Sequence, residues 1–241
     1  METIQLYAWH FMPWPFLPAD FDERYESGWV TVPNALYSPD RARGLYQRYI
    51  DELAYAEELG FDGVVLNEHH QNIYGLMPAP NLIAAALTQR TRHCKIVVLG
   101  NLLSLHLRPL RVAEEYAMLD VMSGRRIIAG LATGSGPEFF NYAVSPPIAR
   151  EQFWEAVDLI RRAWTEDGPF EFIGRHFHLR YVNPWPKPLQ QPHPPIWVPG
   201  TSSIETMEEV ARRGLSYFLS TRGHLAQVRQ AAERFASVVE A

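Results

Sequence analysis

The stretch Gly63-Val64-Val65-Leu66-Asn67-Glu68-His69-His70 decides how the chain is read. A short apolar run ends abruptly in an amide, a carboxylate and two imidazoles. Continuous apolarity over a few residues fits a parallel strand buried on both faces. Polar residues at its C-terminal end fit the mouth where strand–helix barrels collect their chemistry. Just upstream, Leu45, Tyr49, Leu53 and Ala56 form one stripe of a helix over 45–59, and Gly60 supplies a left-handed stop. Downstream come an Ala-rich helix over 81–89 and a third strand over 95–99 that ends at Gly100-Asn101.

Outward from this core the same alternation continues. A first strand is expected over 4–9, followed by His10-Phe11-Met12-Pro13-Trp14-Pro15-Phe16, where prolines stop the ladder and aromatics wall the mouth. Residues 16–40 show neither helical nor strand period and read as a long excursion, either functional or folded on its own aromatics. Helices follow over 110–122, 149–166, 204–213 and 225–239, with strands over 126–132, 196–199 and 217–219. A small hairpin over 170–178 turns near Gly174, and the proline-rich segment 183–195 is extended. Six strand–helix alternations imply parallel strands with right-handed crossovers. No glycine-rich dinucleotide fingerprint follows the first strand, and the loops after the first four strands are long and bear aromatics or histidines. Both features favour a (β/α)8 TIM-barrel type over an open doubly wound sheet, with about six units present in one domain over 1–241 and the last two lacking.

Composition narrows the function. The 241 residues are 47% hydrophobic and 20% charged, with 19 prolines and 7 tryptophans, which suits a folded domain with long ordered loops. The net charge of −5 and the absence of a dense basic stripe argue against a nucleic-acid partner. No apolar run approaches a membrane span, and the start Met-Glu-Thr-Ile-Gln-Leu-Tyr has no leader pattern, so a cytoplasmic protein off the membrane is expected. Cys94 stands alone, without an activating pattern around it.

Adjacent strand residues point to opposite faces, so His69 and His70 cannot easily share one metal ion, and no metal site is expected. One imidazole is expected in the cavity as acid, base or donor, with Glu68 as a buried partner for a cation or a ring N–H. The competing reading is a purely structural network. Gly100 would let backbone approach a planar ligand, or merely make a turn. Thr133-Gly134-Ser135-Gly136 offers N–H groups and hydroxyls, a weak phosphate-binding signal. Gly200-Thr201-Ser202-Ser203-Ile204-Glu205-Thr206 opens a helix, so its free N–H groups suit an anion. A self-satisfied capping box, Ser202 with Glu205, explains it equally well.

Several motifs together resemble one family. They are Asn67-Glu68-His69-His70, Pro80-Asn81-Leu82-Ile83-Ala84-Ala85-Ala86, Arg108-Pro109-Leu110-Arg111-Val112-Ala113-Glu114-Glu115 and Leu119-Asp120-Val121-Met122-Ser123-Gly124-Arg125-Arg126. The helix over 153–164 and Pro194-Pro195-Ile196-Trp197 continue the match. The chain resembles the bacterial luciferase-like flavin monooxygenases over nearly its whole length. The resemblance implies non-covalent reduced FMN, oxygen activation on it, a small organic substrate, and a flavin reductase that supplies the reduced cofactor. It implies that His69 is catalytic, that Glu68 is its buried carboxylate partner, and that Gly100 and Asn101 lie under the flavin ring at a non-proline cis peptide. Ser203 and Thr206 fall where luciferase hydroxyls meet the flavin phosphate. Thr133 falls where luciferase has a phosphate-binding arginine, and Ala132 where it has a reactive cysteine. The family normally continues through a seventh and eighth strand. A truncated product, half of a split protein and a shortened homodimer are all compatible with six units. Flavin binding without turnover and deazaflavin-dependent hydride transfer are the alternatives to oxygenation.

Overall fold

The computed structural model describes residues 4–220 and 224–240. The first three residues, on which the reading of the N-terminal start partly rests, lie outside them. The strands are β1 (Tyr7–Trp9), β2 (Gly63–Leu66), β3 (Lys95–Leu102), β4 (Ile127–Ala132), the hairpin β5 (Phe170–Ile173) and β6 (His178–Val182), β7 (Ile196–Gly200) and β8 (Ser216–Leu219). The helices are α1 (Phe21–Arg24), α2 (Pro39–Glu58), α3 (Pro80–Arg90), α4 (Pro109–Ser123), α5 (Gly136–Asn141), α6 (Pro146–Thr165), α7 (Ile204–Arg212) and α8 (Leu225–Glu240). Six strands form one parallel sheet in the order β1-β2-β3-β4-β7-β8, and β5-β6 pair separately. The architecture is therefore the expected strand–helix barrel type, with six units and an inserted hairpin.

Alternation along each strand splits the sheet's side chains between two layers. Val64, Leu66, Ile96, Val98, Ile127, Ala129, Ile196 and Val198 join the layer under the helices. Val65, Val97, Leu99 and Ile128 form an inner layer with Tyr7, Trp197 and Phe218. That inner layer shows the curvature. β1 and β8 are opposite edges of the sheet, and in a flat sheet five strand spacings would separate them by about 24 Å. Yet the Trp9 ring lies 5.5 Å from Phe218 and Tyr7 lies 5.5 Å from Trp197. The sheet is curled until its edge strands meet through aromatic rings, without a backbone ladder between them.

The boundaries differ from the sequence reading for local reasons. Four helices begin on proline, at Pro39, Pro80, Pro109 and Pro146, up to six residues ahead of the apolar stripe. Proline suits a first helical turn, where its missing N–H costs nothing. The excursion contains one turn of helix, α1, and a 3-10 turn over Asn34–Leu36. The six-residue α5 is too short to show a period. The hairpin's second strand runs past 178 to Val182, and its turn is held by Glu155, which accepts from the backbone N–H groups of Arg175, His176 and Phe177. β3 continues through Gly100 and Asn101 rather than ending at them, with a shift of register between Val98 and Asn101. The non-proline cis peptide among the described residues joins Leu99 to Gly100, one bond before the expected place. Among the described residues no helix is long and apolar enough to cross a membrane.

Close packing at the β3–β4 register shift explains two glycines. A Cβ on Gly130 would fall 2.1 Å from the Val98 carbonyl oxygen, and one on Gly100 would fall 2.6 Å from the Gly130 carbonyl carbon. These neighbours are backbone and cannot swing aside. Gly130→Ala should therefore destabilise the fold by about 3 kcal/mol in urea denaturation. Gly44 lies inside α2, and a Cβ there would meet no atom within 4 Å, so it should behave oppositely. Gly44→Ala should add about 0.5–1 kcal/mol, since alanine loses less backbone entropy in a helix.

Candidate active site

β2 ends at Leu66, and the four residues after it divide by face. Asn67 is 3% exposed, its Oδ1 accepts from Trp9 Nε1 at 3.2 Å, and its Nδ2 has no partner. Glu68 is equally buried and turns the other way, into a polar cluster beneath the rim. One carboxylate oxygen accepts from Asn101 Nδ2 (2.9 Å) and the Leu102 amide (3.1 Å), and the other meets His70 Nε2 at 2.8 Å. His106 Nε2 stands 3.6 Å away, beyond hydrogen-bond distance. Burial alone would raise the Glu68 carboxyl, but His106, His70 and Asn101 around it overcome that and hold it at about 2.

The two histidines have opposite fates. His70 has both nitrogens engaged, Nε2 by Glu68 and Nδ1 by the Tyr142 hydroxyl at 3.1 Å. His69 turns to the other side, and its Nδ1 meets Glu138 Oε1 at 2.9 Å. Glu138 is fully buried in α5, where its other oxygen accepts from the Ser135 amide and hydroxyl in a capping box. Burial raises the Glu138 carboxyl, while the hydrogen bonds from His69 and Ser135 lower it further, for a net downward shift. An ionised carboxylate only accepts, so the proton sits on Nδ1 and a neutral His69 ring keeps its Nε2 lone pair. Nε2 makes no hydrogen bond among the described residues. The ring stacks on Phe11 (6.5 Å, 7° between planes) and meets the edge of Trp29 (4.9 Å). Trp29 in turn stacks on Tyr74 at 4.4 Å, so the long excursion is packed against His69 rather than only on itself.

The expectation that Glu68 is the partner of His69 is thereby corrected. Residues 68 and 70 share a face, and residue 69 points away from both. The carboxylate that holds His69 comes instead from α5. A Ser-x-x-Glu pattern, Ser135 to Glu138, marked this helix start in the sequence, but nothing local tied it to position 69. The other expected site residues each have a structural partner. Gly100 makes room for the β4 backbone. Asn101 is 2% exposed and committed to Asn81 and Glu68. The Thr133 carbonyl accepts from the Ser104 hydroxyl at the end of β4. Ser203 caps α7, its hydroxyl accepting from the Thr206 amide at 3.3 Å, and Glu205 pairs with Arg150 instead of closing a box with Ser202.

These residues lie at or after the C-terminal ends of neighbouring strands, so they share one rim. His69 and Glu68 follow β2, Asn101 lies near the end of β3, Thr133 follows β4, and Ser203 and Thr206 follow β7. A cavity of about 490 Å³ opens beside His69, lined also by Trp14, Tyr37, Tyr46 and Asn141. Gly100, Asn101, Thr133, Ser203 and Thr206 are not among its walls. Among the described residues, no group of three or more His, Cys, Asp and Glu side chains is placed to hold a metal ion.

The buried Glu68 cluster carries a pH signature. Its folded-state carboxyl lies at about 2 against an ordinary 4.5, so its stabilisation is complete above pH 4.5 and is lost as pH falls towards 2. Glu68→Gln should cost about 2 kcal/mol at pH 7 and flatten that part of the acid limb in urea titrations. Parallel acid limbs for the two proteins would contradict the assignment.

Comparison with known proteins agrees with this fold. The luciferase-like monooxygenase family profile matches residues 27–241. The uncharacterised protein y4wF of Sinorhizobium fredii is 35% identical over 195 residues, covering 79% of this chain and 56% of its own. The oxygenase component of the flavin-dependent trigonelline monooxygenase of Acinetobacter baylyi is 30% identical over 159 residues, covering 64% of this chain and 43% of its own. The oxygenating constituent of 3,6-diketocamphane monooxygenase from Pseudomonas putida, solved with FMN, superposes with a TM-score of 0.75 at 18% identity, over 99% of this chain and 63% of its own. The chain spans about half the length of the curated relatives it matches. A curled parallel sheet and a family match across most of the sequence agree: the chain belongs to the luciferase-like monooxygenases.

Proposed function

We infer that the chain carries the oxygenase chemistry of a flavin-dependent monooxygenase, acting on a small organic molecule with reduced FMN supplied by a separate reductase. The observation that carries this reading is the His69–Glu138 pair, which leaves one imidazole nitrogen open beside a cavity at the strand ends. The residues present fit a flavin. Asn67 Nδ2 is a buried donor without a partner on the inner face, and an unpaired buried donor is costly unless something accepts from it. The first turn of α7, with the Ser203 and Thr206 hydroxyls, offers N–H groups to a phosphate. Thr133 would add a hydroxyl where the family resemblance places an arginine. The bound flavin would supply the electrons that activate oxygen.

The chain's own residues would do the rest. His69 moves a proton at Nε2, with Glu138 fixing the tautomer and stabilising the ring when it is charged. Phe11 and Trp29 pack against the imidazole and hold it in place. Glu68 acts through the scaffold: by tying His70, Asn101 and Leu102 together it joins the ends of β2 and β3.

The test is oxygen uptake with reduced FMN, a flavin reductase and candidate substrates. His69→Ala should lower turnover about 100-fold while FMN still binds, and Glu138→Gln should lower it about tenfold. Unchanged substrate-dependent uptake in His69→Ala would remove His69 from the mechanism. FMN binding without any uptake would favour a flavin-binding protein without turnover, and oxygen-independent hydride transfer to a deazaflavin would favour the third reading.

A further inference from the structure

The loop after β1 is held by a third histidine, His10. Met12 is fully buried, and its φ of 53° lies in the left-handed region that residues other than glycine rarely adopt. Such a conformation persists only where its surroundings hold it. The Met12 amide donates to His10 Nδ1 at 2.8 Å. On the far side of the ring, His10 Nε2 meets Glu52 Oε2 at 2.9 Å. Arg48, hydrogen-bonded to the other Glu52 oxygen, holds that carboxyl below its ordinary value. An amide N–H only donates and an ionised carboxylate only accepts, so the two neighbours fix the state of the ring. His10 is neutral, with its proton on Nε2 and its lone pair on Nδ1. The ring also lies 4.4 Å from Tyr49, whose hydroxyl donates to the Pro13 carbonyl at 2.7 Å.

The kink at Met12 reaches His69. The Leu76 amide donates to the Met12 carbonyl and the Trp14 amide to the Ile73 carbonyl, each at 2.8 Å, so the loops after β1 and β2 are tied together at the kink. Phe11, one residue before it, lies parallel to the His69 ring. Gly75 lies against both: a Cβ there would come 3.3 Å from the Phe11 carbonyl oxygen and 3.4 Å from His69 Cβ. We propose that His10 is a positioning residue for His69, a latch whose neutral ring holds Met12 in its left-handed turn and so keeps Phe11 over the imidazole, and which a second proton, taken up from solvent at Nδ1, releases. Protonation would set one N–H against another and leave a buried amide without an acceptor. Glu52 does not prevent this. It favours the charged ring, but it acts at Nε2, which carries a proton in both states. Among the described residues the ring makes no other hydrogen bond or ion pair. The charged groups that face it are Glu52 and, through Glu52, Arg48, and Tyr49 is the further titratable neighbour, all on α2. Imidazoles change charge between about pH 5 and 8, so the latch opens as pH falls through that range. The consequence for turnover rests on the monooxygenase reading, whereas the latch does not.

The test measures backbone amide exchange by NMR on the full chain without flavin. Between about pH 7.5 and 5.5 the Met12 amide should lose about tenfold in protection factor, the equivalent of one hydrogen bond. The Ile96 amide, bonded to the Arg126 carbonyl, should keep its own. His10→Asn supplies an oxygen that can accept from the amide two residues on and does not titrate, so Met12 should stay protected at both pH values. His10→Leu removes the acceptor, so Met12 should be poorly protected at both. At about pH 7.5 the His69 ring protons should shift in His10→Leu, as the Phe11 ring moves off them, and hold their place in His10→Asn. Equal falls at Met12 in His10→Asn and the native chain would overturn the proposal. So would equal loss at Met12 and Ile96, no loss in the native chain, or a His69 signal unmoved in His10→Leu. With reduced FMN and a reductase, the acid limb of turnover should be shallower in His10→Asn than in the native chain, and identical limbs would remove His10 from the positioning of His69. No turnover in any of the proteins would count against the monooxygenase reading and leave the exchange result standing.

Discussion

The curl of the parallel sheet is the constraint from which the other features follow. Six strands would lie as an open twisted layer if only their ladders were considered. The inner side chains bend it instead: Trp9 reaches Phe218 and Tyr7 reaches Trp197 across the hollow, and Val65, Val97, Leu99 and Ile128 fill the floor between them. Apolar burial on the concave side is what makes the curvature favourable, and large flat rings span distances that aliphatic side chains could not. Once the sheet is curled, every loop after a strand's C-terminal end converges on one rim. Loops from β1, β2 and β4 can then contribute Phe11, His69 and Glu138 to a single arrangement.

The adjacent histidines show how much a strand's alternation decides. His70 falls on the side of Glu68 and becomes part of a closed network that also contains Asn101 and the Leu102 amide. His69 falls on the other side, where the carboxylate that meets it is delivered by a six-residue helix after β4. A fully buried, capped glutamate is a rigid support, since its second oxygen is already committed to Ser135. The imidazole is therefore oriented through one nitrogen, while the other makes no hydrogen bond among the described residues.

Glycine at the β3–β4 junction illustrates a residue whose sequence meaning was ambiguous. Gly100 suited either a ligand's approach or a turn, and its packing reveals a further demand for a missing Cβ. It sits within a strand where the β4 backbone passes so near that no Cβ fits, and Gly130 is its counterpart. The Tyr116 hydroxyl, fully buried, braces the same spot by donating to the Gly130 carbonyl at 2.7 Å. Likewise, the hydroxyl cluster opening α7 resolves into a cap made by Ser203, while Glu205 is drawn to Arg150 on α6. Both outcomes depend on which element packs next door, which no local window contains.

Local patterns in the chain were enough to set the main succession of strands and helices, the parallel sheet and the hairpin, and to put a cluster of polar residues at the end of β2. These follow from periodicity and from polar residues closing apolar runs, which are properties legible a few residues at a time. Helix starts were displaced because proline belongs to the first turn but carries no stripe. Three-dimensional packing alone settled that Glu138 rather than Glu68 holds His69 and that Gly100 accommodates a neighbouring strand. Those pairings join residues tens of positions apart, and their energies come from burial and direction. Both exist only after the sheet has curled.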